Sequence, residues 1–294
     1  MEGGVKKGTV SGYAYFLPLF LFIAAVYLYP FLSAISLSLH DVNYLRPGNR
    51  PFVGLANFGR LLFKEPLLGP TVRNSLVFTL GSVVFEYVIG LASALLLNST
   101  FIRMKNLSKA LVLLPWAVPI AINSLIWRFL LSGGYGFIDQ LLNAVGFHAL
   151  VNENWLGDLA LVMPTVLFVN VWRSFPFYTI TLTAGLATIP RELYEAAEVD
   201  GAGWTRRFRT ITLPGIRHVS AVIVVFHLIW TFTNFDVIYL LTGGGPLHAT
   251  EVIPTFLYQQ AFVNFDMGYA AAMGVLLFLV LSITVGPLYS WLNK

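Results

Sequence analysis

The sequence predicts an all-α, polytopic membrane protein, and three observations carry that expectation. Only 11% of the 294 residues are charged while 57% are hydrophobic, against about a quarter charged in soluble domains, and mean hydropathy is +0.74. Apolar stretches at 12–39, 72–97, 108–130, 159–182, 216–241 and 267–290 each match the roughly 20 residues a helix needs to cross about 30 Å of hydrocarbon. They contain Pro18, Pro30, Pro115, Pro119, Pro164 and Pro176, poor choices in soluble helices but accepted where neighbouring helices satisfy the freed carbonyls. A six-span bundle bathed in membrane lipid follows, forming a single transmembrane domain over 1–294.

The first stretch follows Lys6 and Lys7 but lacks a short core with a small-residue cleavage pattern, so it reads as a retained span. The connection from Arg46 to Pro70 carries Phe58, Leu61, Leu62 and Phe63, the pattern of a short helix at the outer interface. The second span contains one acid, Glu86, read as a structural pair or gate. Between the third and fourth spans, Phe137, Ile138, Leu141 and Leu142 form another apolar fragment, and Trp155 marks an interfacial position. Gly243, Gly244, Gly245 and Pro246 punctuate the chain after the fifth span.

Orientation follows from Lys and Arg. One side gathers Lys6, Lys7, Arg103, Lys105, Lys109, Arg191, Arg206, Arg207, Arg209, Arg217 and Lys294; the other has Arg46, Arg50, Arg60, Lys64, Arg73 and Arg128. Both termini are therefore expected in the cytoplasm. The net charge of +4 fits basic cytoplasmic loops, and no long basic tract points to nucleic acid. Cysteine is absent and no two histidines stand at a metal-binding spacing. No GxxxxGK phosphate loop occurs, so the chain is expected neither to be an enzyme nor to hold a cofactor of its own.

Two spans carry polar faces. Asn170, Arg173, Ser174 and Phe177 recur at three- and four-residue intervals in the fourth span. In the fifth, His227, Trp230, Thr231 and Asn234 do the same, with Asp236 beyond them. Polar groups at membrane depth need internal partners or a wet cavity, so both faces are expected to look inward. Helix-to-helix hydrogen bonding accounts for these groups as readily as solute binding. Arg173 suits either an anionic solute or an ion pair with Glu86 or Asp236.

The longest polar interruption lies within 189–214, IPRELYEAAEVDGAGWTRRFRTITLP. Pro190 suits a helix start, Arg191 to Val199 are mainly good helix formers, and Gly201 allows a tight turn. Leu193, Ala196 and Ala197 form an apolar face opposite Glu192, Glu195 and Glu198. So short a helix is marginal alone and gains stability by docking.

Glu195, Ala196, Ala197, Gly201, Ile211, Leu213 and Pro214 match, without a gap, the spacing EAA, three residues, Gly, nine residues, I-x-L-P. The segment resembles the EAA loop of permease subunits from binding-protein-dependent ABC importers. GLANF (Gly54 to Phe58), LPWAVP (Leu114 to Pro119), LYEAAEVDGAG and GGGP look like the carbohydrate branch, which includes the larger maltose and the glycerol-phosphate permeases. The resemblance implies a six-helix importer core in the cytoplasmic (inner) membrane of a bacterium or archaeon, with the seven EAA-loop residues coupling it to an ATPase. It implies a second permease of similar fold, two ATP-binding subunits holding ATP and Mg, and an extracytoplasmic solute-binding protein. The solute moves inward by alternating access. Counting from Glu195, the resemblance implies solute contacts at Asn170, Ser174, Phe177, Thr231 and Asn234, to which Arg173 and Trp230 are added from their helix faces. A sugar is expected, particularly a disaccharide such as maltose or trehalose; glycerol phosphate or another polar solute is the alternative, and a secondary transporter the competing class.

Overall fold

The computed structural model describes residues 15–46, 48, 50–99, 102–133, 136–151 and 154–292. Lys6, Lys7 and Lys294, which contribute to the orientation count, and the first residues of the first expected span lie outside them. The chain forms two compact units, one drawing on the chain up to Pro66 and on Leu257–Val280, the other on Leu67–Phe256 and the chain from Leu281 onward.

In the first unit, α1 (Leu17–Ile23), a π-helical segment (Ala24–Leu28) and α2 (Tyr29–Ser38) form one membrane-length stretch. Pro18 sits in the first turn of α1, where a missing N–H costs nothing, whereas Pro30 lies inside the continuous stretch, just after its π-helical segment. The short helix expected between Arg46 and Pro70 is present as α3 (Ala56–Lys64). Leu61 is buried and Phe63 is exposed. Asn57 fastens α3 by donating to the carbonyls of Ser38 (2.9 Å) and His40 (3.0 Å). Arg60 pairs with Asp266 at 2.6 Å and lies 4.1 Å over the Tyr269 ring, whose hydroxyl donates to Glu65 at 2.8 Å.

The second unit begins with α4 (Leu68–Asn98), followed by α5 (Lys105–Ala117) and α6 (Ile120–Leu130). Residues 108–130, expected as one span, are bent by 88° between α5 and α6. Proline restricts the residue before it to extended backbone, and Val118 accordingly has ψ 130 ahead of Pro119. Next come α7 (Phe137–Ala144), α8 (Val162–Ala187), α9 (Arg191–Val199) and α10 (Trp204–Arg207). A π-helical segment (Phe208–Thr212) joins α10 to α11 (Leu213–Phe232). The fifth expected span ends at Phe232, and 236–241 form a separate helix, α12 (Asp236–Leu241). Trp155 packs on the interior cluster around Val166 and Ile238, donating to Asp139 at 3.3 Å. The chain continues through α13 (Ile253–Tyr258), a third π-helical segment (Gln259–Val263) and α14 (Met267–Leu292).

Among the described residues, Leu17–Ser38, Leu68–Asn98, Trp204–Phe232 and Met267–Ser290 are single helical stretches long and apolar enough to cross a membrane. The bent pair α5 and α6 passes the same test together. At 26 residues, α8 is about 39 Å long, yet its Thr, Asn, Arg and Ser residues keep it out of that set. Half of its residues are buried, because it packs against α4, α5 and α11 inside the second unit. The α4–α8 crossing needs small residues: a β-carbon on Gly90 would stand 2.4 Å from Tyr178 Cβ.

Candidate functional site

Where α4, α8 and α11 meet, a buried polar node forms. Glu86 of α4 is fully buried, and such a charge is costly unless hydrogen bonds satisfy it. Asn170 of α8 donates through Nδ2 to Glu86 Oε1 at 3.1 Å and to Ser82 Oγ at 3.0 Å. His227 Nδ1 of α11 lies 3.0 Å from Glu86 Oε2. Three helices are thus tied through one carboxylate. Arg173 feels Asp236 and Glu86 electrostatically, but among the described residues neither acid stands within ion-pair distance of it. Its Nε is buried without a hydrogen-bond partner.

A recess of about 220 Å³ opens beside the node, lined by Trp116, Arg173, Ser174, Phe177, Phe226, His227 and Trp230. Aromatic rings form a continuous wall. Trp116 and Phe177 are 5.8 Å apart, Phe177 and Phe226 6.1 Å, and Phe226 and Trp230 stack at 5.7 Å. Residues 226 and 230 are one helical turn apart and so share a face. The ring faces offer apolar platforms, while Arg173 donates and the Ser174 hydroxyl both donates and accepts hydrogen bonds.

Of the residues expected to touch solute, Arg173, Ser174, Phe177 and Trp230 come together in this recess. The other three lie outside its lining. Asn170 is engaged in the node, Thr231 is buried, and Asn234 accepts the Val237 N–H at 3.2 Å at the start of α12. In the sequence Trp116 stands only within the LPWAVP stretch, Phe226 is one apolar residue among many, and His227 lies on the polar face of the fifth span without being among the expected solute contacts. Phe226 precedes Trp230 by four residues, the periodicity that puts it on the same face. The signal for Trp116 was Pro119, which ends its helix nearby.

The segment from Pro190 to Pro214 is built as its residues dictate. Pro190 precedes α9 with extended backbone (ψ 134). Gly201 ends it at φ +73, a left-handed conformation that favours glycine. The Ala202 N–H reaches Ala197 O at 2.8 Å and the Gly201 N–H reaches Glu198 O at 3.0 Å, closing the helix in a Schellman motif. Tyr194 bonds Thr212 at 2.9 Å, and Tyr194, Phe208, Ile211 and Leu213 pack on the interior cluster around Tyr178 and Leu182. Glu195 and Ala196 are exposed, Ala197 is half-buried, and Pro214 lies at the surface. Leu193 and Val199 leave an apolar surface on α9, being 51% and 88% exposed.

Membrane-length apolar helices, with a recess in the second unit lined from α5, α8 and α11 and the short helix α9 braced on that unit, fit the class of a polytopic membrane permease. The chain belongs to the family described as binding-protein-dependent transport system inner membrane component, whose model matches residues 86–294. It is 36% identical, over 93% of its length and 91% of the relative's, to the trehalose/maltose transport system permease protein MalF of Thermococcus litoralis. It is 31% identical to the sulfoquinovosyl glycerol transport system permease protein SmoG of Agrobacterium fabrum, over 92% of this chain and 86% of the relative. Its fold is like that of a chain from the crystal structure of a bacterial ABC transporter involved in the import of the acidic polysaccharide alginate. That likeness has a TM-score of 0.81 at 24% identity, covering 96% of this chain and 94% of the other. The protein is therefore a multi-pass inner-membrane permease subunit of an ABC importer that works with a binding protein. It is not itself the ATPase; ATP is bound by a partner subunit.

Proposed function

We propose that this permease carries a sugar, specifically a disaccharide such as maltose or trehalose, inward by alternating access. The observation that carries the reading is the aromatic wall from Trp116 to Trp230, flanked by Arg173 and Ser174. Ring faces pack on the apolar faces of pyranoses while hydroxyls take the hydrogen bonds. The trehalose/maltose relative supports the same solute class. A second permease of similar fold supplies the opposite wall, and an extracytoplasmic binding protein delivers the solute. Two ATP-binding subunits, with ATP and Mg, receive α9 through the segment from Glu195 to Pro214, and both termini lie in the cytoplasm.

Arg173 favours a second reading, an anionic solute such as glycerol phosphate, because its Nε is unpartnered and no acid pairs with it directly among the described residues. Uptake by the intact importer in proteoliposomes, with maltose, trehalose, a monosaccharide and glycerol phosphate in competition, separates the two. Under the sugar reading Trp230→Ala raises the half-saturating concentration for the disaccharide about tenfold, and Arg173→Gln leaves that sugar the preferred solute. Uptake of glycerol phosphate alone, abolished by Arg173→Gln, overturns it.

A further inference from the structure

We infer that a groove between α4 and α11 binds an anionic membrane phospholipid, with the phosphate on Arg217 and the upper part of an acyl chain along Ala221 and Val224. The groove has a volume of about 490 Å³ and is walled by Tyr87 on one side and by residues of α11 from Leu213 to Val224 on the other. It shares no lining residue with the recess beside the polar node, so the identity of the solute does not bear on it. Its floor is fixed, because Tyr87, Leu213 and Val224 pack on the interior cluster around Leu182 and Ile216.

The lining changes character along the groove as a phospholipid does. Arg217 is the only Asp, Glu, Lys or Arg of α11 and stands just past its first turn, where a long basic side chain reaches the membrane interface. Ser220 follows three residues later on the same face, and its hydroxyl lies 3.0 Å from that of Tyr87. Two hydroxyls carry two protons and the bond between them uses one, which leaves the other to donate to a phosphate oxygen. Ala221 and Val224 then continue the wall with apolar surface only. Arg217 is exposed, and among the described residues no acid pairs with it. An apolar helix laid over the groove would bury that unpaired guanidinium at a high cost, whereas a phosphate neutralises it while the attached chain covers Ala221 and Val224. Exposed Arg206 and Arg209 precede it on the same continuous helical stretch, so this end of the groove favours a lipid of net negative charge over a zwitterionic one.

The test uses the complete importer in nanodiscs of mixed phosphatidylcholine and phosphatidylglycerol, with the lipid retained after detergent extraction measured by mass spectrometry. Arg217→Gln is expected to lower retained phosphatidylglycerol about fivefold, and Arg217→Lys to hold it near the native level. Val224→Trp, which fills the apolar end, lowers it with Arg217 intact. Retention unchanged in Arg217→Gln or in Val224→Trp, or phosphatidylcholine retained as well as phosphatidylglycerol by the native importer, overturns the inference. A second measurement needs no variant. Phosphatidylglycerol with a photoreactive group high in its acyl chain is expected to label the 213–224 peptide of the native importer more strongly than the matching phosphatidylcholine does. Equal labelling by the two lipids, or none by either, overturns the inference. A photoreactive residue in place of Val224 is expected to capture lipid, and capture of the second permease subunit instead assigns the groove to that subunit and overturns the inference as well.

Discussion

Gly90 and Gly81 line the same helix crossing, yet their neighbours differ in how far they can yield. A β-carbon on Gly90 would meet Tyr178 Cβ at 2.4 Å and the Phe175 carbonyl oxygen at 3.2 Å; on Gly81 it would meet only the end of the Leu167 side chain. Backbone and Cβ atoms cannot rotate away, whereas a leucine tip can. Gly90→Ala is therefore expected to destabilise the protein by about 1–3 kcal/mol, with a smaller effect for Gly81→Ala. Thermal unfolding of the two variants in detergent checks this, and equal melting temperatures would count against the packing described. Individual polar residues at this crossing were legible in the sequence: Glu86, Asn170, Arg173 and His227 stand out against apolar surroundings. Their pairing was not, because Glu86 meets partners 84 and 141 residues away, and helix periodicity carries no information over such separations. Asn170 accordingly looks like a solute contact in the sequence and serves Glu86 in the fold.

Helix α9 is the element whose sequence and structure agree most closely. Its start after Pro190, its helix formers and its glycine stop were all readable, since each acts through local backbone chemistry. Replacing Gly201 by Val forces a β-branched side chain to φ +73, at a cost of order 1–3 kcal/mol. Membrane insertion should be unaffected, while solute-stimulated ATP hydrolysis of the assembled importer falls; normal hydrolysis would argue against coupling through this loop. The elbow between α5 and α6 was less legible. Pro115, Pro176 and Pro287 all lie inside helices that continue through them, whereas Pro119 follows an extended residue at an 88° bend. The same residue type has both outcomes because tertiary packing decides whether the freed carbonyls find partners.

At the scale of the whole molecule the open quantity is sidedness. The native chain contains no cysteine, so single cysteines introduced at exposed Arg206 and Leu247 report their compartments with a membrane-impermeant thiol reagent. Arg206→Cys is expected to react only from the cytoplasmic side and Leu247→Cys only from the outer side; labelling of both from one side would reject the proposed orientation. The burial of α8 bears on that outcome. A tally of helices by greasiness alone yields four plus the bent pair, an odd number of crossings that strands the two chain ends in different compartments. Counting α8 as a crossing makes the number even and returns both ends to one compartment. The parity of the chain thus hangs on a helix half of whose residues are buried inside the second unit.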